Sequence, residues 1–154
     1  MLRQVYYCPQ EGEDLVAAYN YLLNVQPALA LREKAAKDWC DWEDAVLSLE
    51  QGWKPNPRYE DAAFRMCFAR LCAHYFSHGA WLEEGELLSN AHKLKGIPGV
   101  MIHGRFDISG PPDVPWLLAQ VWPDAELHLV REGHKGGEEM NRVHLDALTR
   151  FSDL

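Results

Sequence analysis

The sequence predicts an α/β protein in which a helical region is followed by the last strand–helix–strand–helix portion of a doubly wound sheet. Two observations support this class. From about Glu13 to Leu94 the apolar residues recur at steps of three and four, the period of a helix, and no convincing strand appears. From about Gly96 onward, two short apolar runs alternate with two helical patterns, and such short links join parallel strands through a helix. Because two strands do not make a covered parallel sheet, the pattern is typical of the end of a larger one.

The first region is predicted to contain four helices. Prolines at positions 55 and 57 end the second one, since proline removes a backbone donor and disfavours helical geometry in the residue before it. Gly79 is well placed to end the third. The predicted helices cover about Leu15–Leu23, Ala28–Leu49, Glu60–Ser77 and Gly85–Leu94. The residues expected on the apolar face of the third helix are Phe64, Phe68, Leu71 and Tyr75.

The second region reads as alternating strands and helices. The run Val100–Ile102 is short, continuous and bounded by glycines, which suits a strand covered on both faces. Val114–Val121 has helical spacing, Glu126–Val130 reads as a second strand, and Met140–Phe151 as a closing helix.

Composition excludes several classes of protein and partner. The chain has 154 residues, 47% hydrophobic and 25% charged, which argues against a disordered or fibrous protein. A net charge of −8 argues against nucleic acid or an anionic membrane as the partner. The absence of a long apolar run, of a secretory signal pattern and of paired cysteines predicts a cytoplasmic protein with reduced thiols. His74 and His78 have a spacing that can chelate zinc, but no third ligand lies at a recognisable distance, so no metal or cofactor is expected.

A titratable residue follows each predicted strand. Asp107 comes just after the first strand and His134 just after the second, and reactive groups gather at the carboxyl ends of parallel strands. The two residues form either the acid–base pair of a catalytic triad, in the chain order Asp before His, or a helix-capping aspartate and an unrelated surface histidine. On spacing alone the second interpretation is favoured. None of the five serines lies in a Gly-x-Ser-x-Gly nucleophile elbow, and three of the four cysteines fall inside predicted helices.

Several motifs together resemble proline iminopeptidases, in order and spacing, from about Asp14 to the C-terminus. The motifs are Trp39-x-x-Trp42-Glu43, Phe68-Ala-Arg-Leu-x-x-His74-Tyr75-Phe76, Gly104-Arg-Phe-Asp107, Ala119-x-x-Trp122-Pro123 and Gly133-His134. The family consists of α/β-hydrolases with a helical cap, which remove N-terminal proline from peptides with a Ser-Asp-His triad. The resemblance implies that residues 1–95 are a helical cap region and that residues 96–154 are the C-terminal part of the catalytic domain. The resemblance also favours the first of the two interpretations above, the catalytic triad, with Asp107 as the triad acid and His134 as the general base.

The resemblance also assigns two substrate-binding positions. Glu43, which periodicity alone places at the edge of an apolar stripe, corresponds to a glutamate that binds the free amino group of the substrate. Cys72 stands where the family commonly has a second amine-binding glutamate, and a thiol cannot replace that charge. The family's oxyanion-hole loop and nucleophile elbow have no counterpart in the sequence.

The resulting hypothesis is the C-terminal fragment of a proline iminopeptidase-like serine hydrolase, a serine aminopeptidase by resemblance but inactive alone because its triad is incomplete. Its expected partner is a peptide with an N-terminal proline. The alternative is a non-catalytic interaction module, or half of a split hydrolase that pairs with an N-terminal half or self-associates through its incomplete sheet. A weaker possibility is an esterase-like relative with altered specificity.

Overall fold

The computed structural model describes residues 12–47 and 52–152. The chain divides into two compact units, one extending to Asp41 and including Asn56–Leu82, the other formed by Trp42–Pro55 and Glu83–Leu154. The α/β class is confirmed, since helices precede a β-α-β-α segment. The boundary between residues 95 and 96 was inferred from the resemblance and stays a prediction.

The first unit is helical. Helix α1 begins after Asp14, whose carboxylate accepts a hydrogen bond from the backbone N–H of Ala17 at 3.0 Å and so caps the first turn. The last two residues of the predicted second helix, 48 and 49, lie outside the described residues. The α-helices of this part of the chain are α1 (Leu15–Asn24), α2 (Leu29–Leu47, whose end belongs to the second unit) and α3 (Ala62–Ser77).

Helix α3 begins two residues later than the sequence predicts because Asp61 caps it. The Asp61 carboxylate accepts hydrogen bonds from the N–H groups of Ala63 at 2.8 Å and Phe64 at 3.4 Å. The residues just before it form a separate 3-10 turn, Pro57–Glu60, which Asn56 caps in the same way. Proline suits the first position of such a turn because the N–H it lacks would have no partner there.

The core of the first unit is built largely from small residues. The buried cluster consists of Leu23, Ala35, Ala36, Trp39, Ala69 and Ala73. The predicted apolar face of α3 is therefore wrong in part: Phe68 packs against this cluster, but Leu71 and Tyr75 are 56% and 52% exposed. Ala69 and Ala73 are four apart, so they share a face of α3, and their small side chains allow α1 to approach closely.

The second unit contains the sheet. Strands β1 (Gly99–Gly104) and β2 (Ala125–Val130) are parallel, with Gly99 opposite Ala125 and Gly104 opposite Val130. The order strand, helix, strand, helix is as predicted. The helices are α4 (Glu86–Asn90), α5 (Asp113–Val121), which connects the strands, and α6 (Glu138–Phe151), which contacts both of them.

The two strands differ in chemistry. Strand β1 contains no acidic residue, lysine or arginine, whereas Glu126 of β2 forms an ion pair with Arg150 of α6 at 2.7 Å. The start of β1 packs under Trp122, whose indole N–H donates to the carbonyl of Ile97 at 2.9 Å. A Cβ at Gly99 would lie 2.4 Å from the Trp122 ring, so only glycine fits there. Among the described residues, no helix combines the length and the apolar character needed to cross a bilayer.

Candidate active site

The loops that follow β1 and β2 run side by side because backbone pairing continues beyond the strands. Arg105 donates its N–H to the carbonyl of Val130 at 2.9 Å, and Phe106 donates to that of Glu132 at 3.0 Å. Gly104 permits this approach, since a Cβ on it would lie 2.3 Å from the carbonyl oxygen of Gly133. Adjacent parallel strands thus deliver the residues after their carboxyl ends to one place.

Asp107 and His134 meet in this place. The Nδ1 atom of His134 lies 2.9 Å from Oδ2 of Asp107. The aspartate side chain is 7% exposed and the histidine side chain 57% exposed. A buried carboxylate therefore supports one nitrogen of an imidazole that is otherwise open to solvent. Helix capping by Asp107, the alternative considered from the sequence, is not observed, because α5 begins after Pro112 without a side-chain cap.

The carboxylate of Asp107 is also held by a tight turn. Its Oδ1 accepts hydrogen bonds from the N–H of Ser109 at 3.0 Å, the hydroxyl of Ser109 at 2.7 Å and the N–H of Gly110 at 2.9 Å. Burial opposes ionisation of Asp107, but the hydrogen bonds from Ser109, Gly110 and His134 outweigh it and lower the pKa from 3.8 to about 2. The group is thus a stable anion at neutral pH.

The loop that carries His134 is anchored to helix α6 through Glu132. The Glu132 carboxylate accepts hydrogen bonds from the N–H groups of Gly137 at 2.5 Å, Glu139 at 2.8 Å and Met140 at 3.1 Å. Desolvation opposes the charge on Glu132, yet these backbone donors prevail and lower its pKa. A carboxylate at a helix N-terminus also interacts favourably with the helix dipole. The Glu132 carboxylate therefore fixes the loop that carries His134 to the start of α6.

The hydrogen bond to Asp107 determines what His134 can do. A carboxylate anion only accepts, so Nδ1 carries the proton of the neutral imidazole and Nε2 has the lone pair. A histidine in this tautomer takes a proton at Nε2, and the adjacent anion stabilises the imidazolium that forms. The arrangement is chemically suited to general acid–base work, with the exchange at Nε2.

The two predicted substrate-binding residues lie on helices of the earlier part of the chain. Glu43 is half-buried near the end of α2, in the stretch that belongs to the second unit. Cys72 is half-buried on α3 and packs against the core of the first unit. Their roles in binding, and those of Asp107 and His134 in catalysis, stay predictions.

Three residues of the site were not identified from the sequence: Ser109, Glu132 and His103. His103 donates from Nε2 to the carbonyl of Gly110 at 2.7 Å and so supports the Asp107 turn. The segment Asp107-Ile-Ser-Gly110 carried a usable signal, since aspartate often binds the N–H two residues on. Glu132 carried none, because its contacts depend on how the loop folds back onto α6.

His74 and His78, whose spacing can chelate zinc, lie close together at the end of α3. The ring centroids of His74 and His78 lie 4.5 Å apart. In the part of the chain that the structure describes, no group of three or more His, Cys, Asp or Glu residues is placed to hold a metal ion.

The chain is similar to curated proline iminopeptidases, which confirms the resemblance predicted from the motifs. It is 38% identical over 151 residues to a probable proline iminopeptidase of Streptomyces coelicolor and 39% identical over 147 residues to the proline iminopeptidase of Xanthomonas citri. Each alignment covers 94% of this chain but 46% of the relative, so the chain spans just under half the length of these proteins. The proline iminopeptidase of Arabidopsis thaliana is 34% identical over 84% of this chain and 34% of its own length. No family model matches the chain.

Proposed function

We propose that this chain is the C-terminal part of a proline iminopeptidase-like serine hydrolase, with Asp107 as the triad acid and His134 as the general base. The observation that carries the proposal is the 2.9 Å hydrogen bond between a buried, ionised Asp107 and Nδ1 of an exposed His134 at the ends of neighbouring parallel strands. The similarity to proline iminopeptidases over 94% of the chain supports the same reaction class.

In the proposed reaction, His134 moves protons and Asp107 keeps it in the correct tautomer. Nε2 of His134 takes the proton of the attacking serine hydroxyl as that oxygen adds to the carbonyl carbon at the scissile bond. The Asp107 anion stabilises the resulting imidazolium, which then protonates the leaving amine. Water attacks the acyl-enzyme in the second half of the reaction, with His134 acting again as base and then as acid.

The nucleophile and the oxyanion hole come from outside this sequence under the proposal. Ser109 is the serine nearest to His134 in the site, but its Oγ lies 3.3 Å from Nδ1, the nitrogen already committed to Asp107. A nucleophile has to meet Nε2 instead. We therefore expect no hydrolysis by the chain alone, and no labelling of it by a fluorophosphonate probe.

The proposed substrate is a peptide with an N-terminal proline. An ammonium group that leaves water must regain its solvation from fixed acceptors, and Glu43 supplies one carboxylate for it. Cys72 occupies the second amine-binding position without a charge. The proposal therefore includes weaker recognition of the free amine than in a protein with glutamate at both positions.

Complementation tests the proposal directly. The chain is co-expressed with the segment of the Streptomyces coelicolor relative that precedes the matched region, and release of p-nitroaniline from proline p-nitroanilide is followed. We expect hydrolysis by the pair, a loss of about 10⁴-fold in kcat for Asp107→Asn and a loss of about 10⁶-fold for His134→Ala. His144→Ala, a change of the same type on the exposed side of α6, is the matched control and should retain activity. Hydrolysis that survives His134→Ala would contradict the proposal.

The alternative of a split hydrolase or non-catalytic interaction module is supported by the exposed apolar surface of α5. Val114, Trp116 and Leu117 are 59%, 51% and 43% exposed, and exposed apolar side chains that cluster on one element are typical of a surface that binds another protein. Sedimentation of the chain, alone and with the added segment, tests this alternative. A chain that sediments as a monomer both alone and with the added segment would argue against this alternative.

A further inference from the structure

We propose that Ser109 is a positioning residue that fixes both the orientation of the Asp107 carboxylate and the tautomer of His134. The catalytic consequence of this role rests on the proposed function, whereas the role itself rests on the geometry of three side chains. Ser109 Oγ lies 2.7 Å from Oδ1 of Asp107 and 3.3 Å from Nδ1 of His134.

The direction of each hydrogen bond follows from the chemistry of the partners. A serine hydroxyl has one proton and two lone pairs, and the ionised carboxylate of Asp107 can only accept. The Ser109 proton therefore goes to Asp107, so toward His134 the hydroxyl oxygen can only accept. The proton on Nδ1 of His134 then lies between two acceptors, Oδ2 of Asp107 at 2.9 Å and Oγ of Ser109 at 3.3 Å. Both acceptors favour the tautomer that leaves Nε2 with its lone pair.

The same hydroxyl fixes the carboxylate. Oδ1 of Asp107 takes all three donors of the turn, two backbone N–H groups and the Ser109 hydroxyl, and Oδ2 is directed to His134. Ser109 is the only one of these donors that also contacts His134 in the described structure. It therefore links the two members of the pair, whereas the backbone donors hold Asp107 alone.

Substitutions at position 109 separate this role from general support of the fold. Ser109→Ala removes the hydroxyl but keeps the backbone N–H. Ser109→Thr keeps a hydroxyl group on Cβ. The control is Ser89→Ala, because the Ser89 hydroxyl donates to the carbonyl of Glu86, a backbone contact on α4. His103→Gln offers a second comparison, since His103 supports the same turn through the Gly110 carbonyl without touching the carboxylate.

The test uses NMR on the full chain, with ¹⁵N shifts of the His134 ring reporting its tautomer and the ¹³C shift of the Asp107 carboxyl reporting its titration. For Ser109→Ala we expect a larger fraction of the Nε2–H tautomer and a rise of about one pH unit in the Asp107 midpoint, the size expected for loss of one hydrogen bond to a charged group. Ser109→Thr should restore both signals, and Ser89→Ala should change neither.

In the complemented enzyme, Ser109→Ala should lower kcat about tenfold with little change in KM, and Ser109→Thr should recover most of the loss. Unchanged tautomer and midpoint in Ser109→Ala would overturn the proposal, and so would a failure of Ser109→Thr to restore them. If Ser109→Ala does not fold, the same two signals in Ser109→Thr and His103→Gln decide. Wild-type values in both variants would support the role of the hydroxyl, because Ser109→Thr keeps it and His103→Gln changes only the support of the turn. Altered values in either variant would overturn it. An inactive complemented wild type would contradict the proposed function alone, since the NMR measurements do not depend on turnover.

Discussion

Asparagine at position 107 should remove a pH-dependent part of the stability of this chain. Asp107 is buried and anionic, and its charge is stabilised by Ser109, Gly110 and His134. Its pKa in the folded chain, about 2, is below the ordinary value of 3.8. The ionised form therefore favours folding, and this contribution is fully present above about pH 4 and is lost as the pH falls through about 2.

The magnitude follows from the two pKa values. At 1.36 kcal/mol per pH unit, the difference between 3.8 and about 2 corresponds to about 2 kcal/mol of unfolding free energy at neutral pH. The Asp107 side chain is 7% exposed but that of His134 is 57% exposed, so solvent screening makes this figure an upper bound. About 1 kcal/mol of the contribution should already be lost between pH 6 and pH 3, where the unfolded state binds the proton and the folded state largely does not.

Urea unfolding at a series of pH values from 6 to 3 measures this effect. The difference in unfolding free energy between the wild type and Asp107→Asn should be about 2 kcal/mol at pH 6 and should shrink by about half at pH 3. Asp113→Asn, the same change on an exposed acid at the start of α5, is the control and should follow the wild-type curve. A constant difference between wild type and Asp107→Asn across the range would refute the reasoning.

Three further predictions concern Gly104 and Glu132, in the loops near the Asp107–His134 pair, and Cys72 on α3. Gly104→Ala should destabilise the chain by about 1–3 kcal/mol in urea unfolding, because its Cβ would meet a backbone oxygen at 2.3 Å; Gly110→Ala, with its nearest contact at 3.6 Å, should cost far less. Glu132→Gln should lower the melting temperature at pH 7, and the effect should diminish as the pH falls through the lowered pKa of Glu132, because the ionised form of this carboxylate is the stabilising one. In the complemented enzyme, Cys72→Glu should raise the rate of hydrolysis of free-amine substrates about ten- to 150-fold and leave the rate for simple esters unchanged. Cys67→Glu, on the exposed side of α3, is the control and should change neither rate. Equal gains for both substrates would mean that position 72 does not bind the amine.

The order of the elements could be predicted from the sequence because helices and strands differ in the period of their apolar residues. The ends of neighbouring parallel strands converge, so Asp107 and His134 could be placed at the same edge of the sheet. Spacing alone nevertheless favoured a capping aspartate and an unrelated surface histidine. The pairing of the two residues could be predicted only once the family resemblance was added to the spacing.

Packing and hydrogen bonding within the loops could not be predicted in the same way. A search for large apolar residues favours Leu71 and Tyr75 on α3, whereas the helix packs through two alanines. In the sequence Ser109 is a candidate nucleophile at most, and because it lies outside a nucleophile elbow nothing in the pattern indicates its contact with His134. Glu132 looks like any loop acid until the chain folds back and presents three N–H groups to it.

The hydrogen-bonding pattern of β1 limits the symmetry of any assembly that extends its sheet. Gly99 and Arg105 donate toward β2, so the backbone groups of the even-numbered residues Val100 and Ile102 face the opposite edge. In a parallel ladder the bonded residues of the two strands are offset by one, so the strands are not equivalent and no two-fold axis can relate them. Two copies of this chain joined at that edge would therefore form an antiparallel centre within a mixed sheet, whereas continuation of the parallel sheet requires a strand of different sequence. The direction of an added strand thus distinguishes a homodimer from a complemented fold.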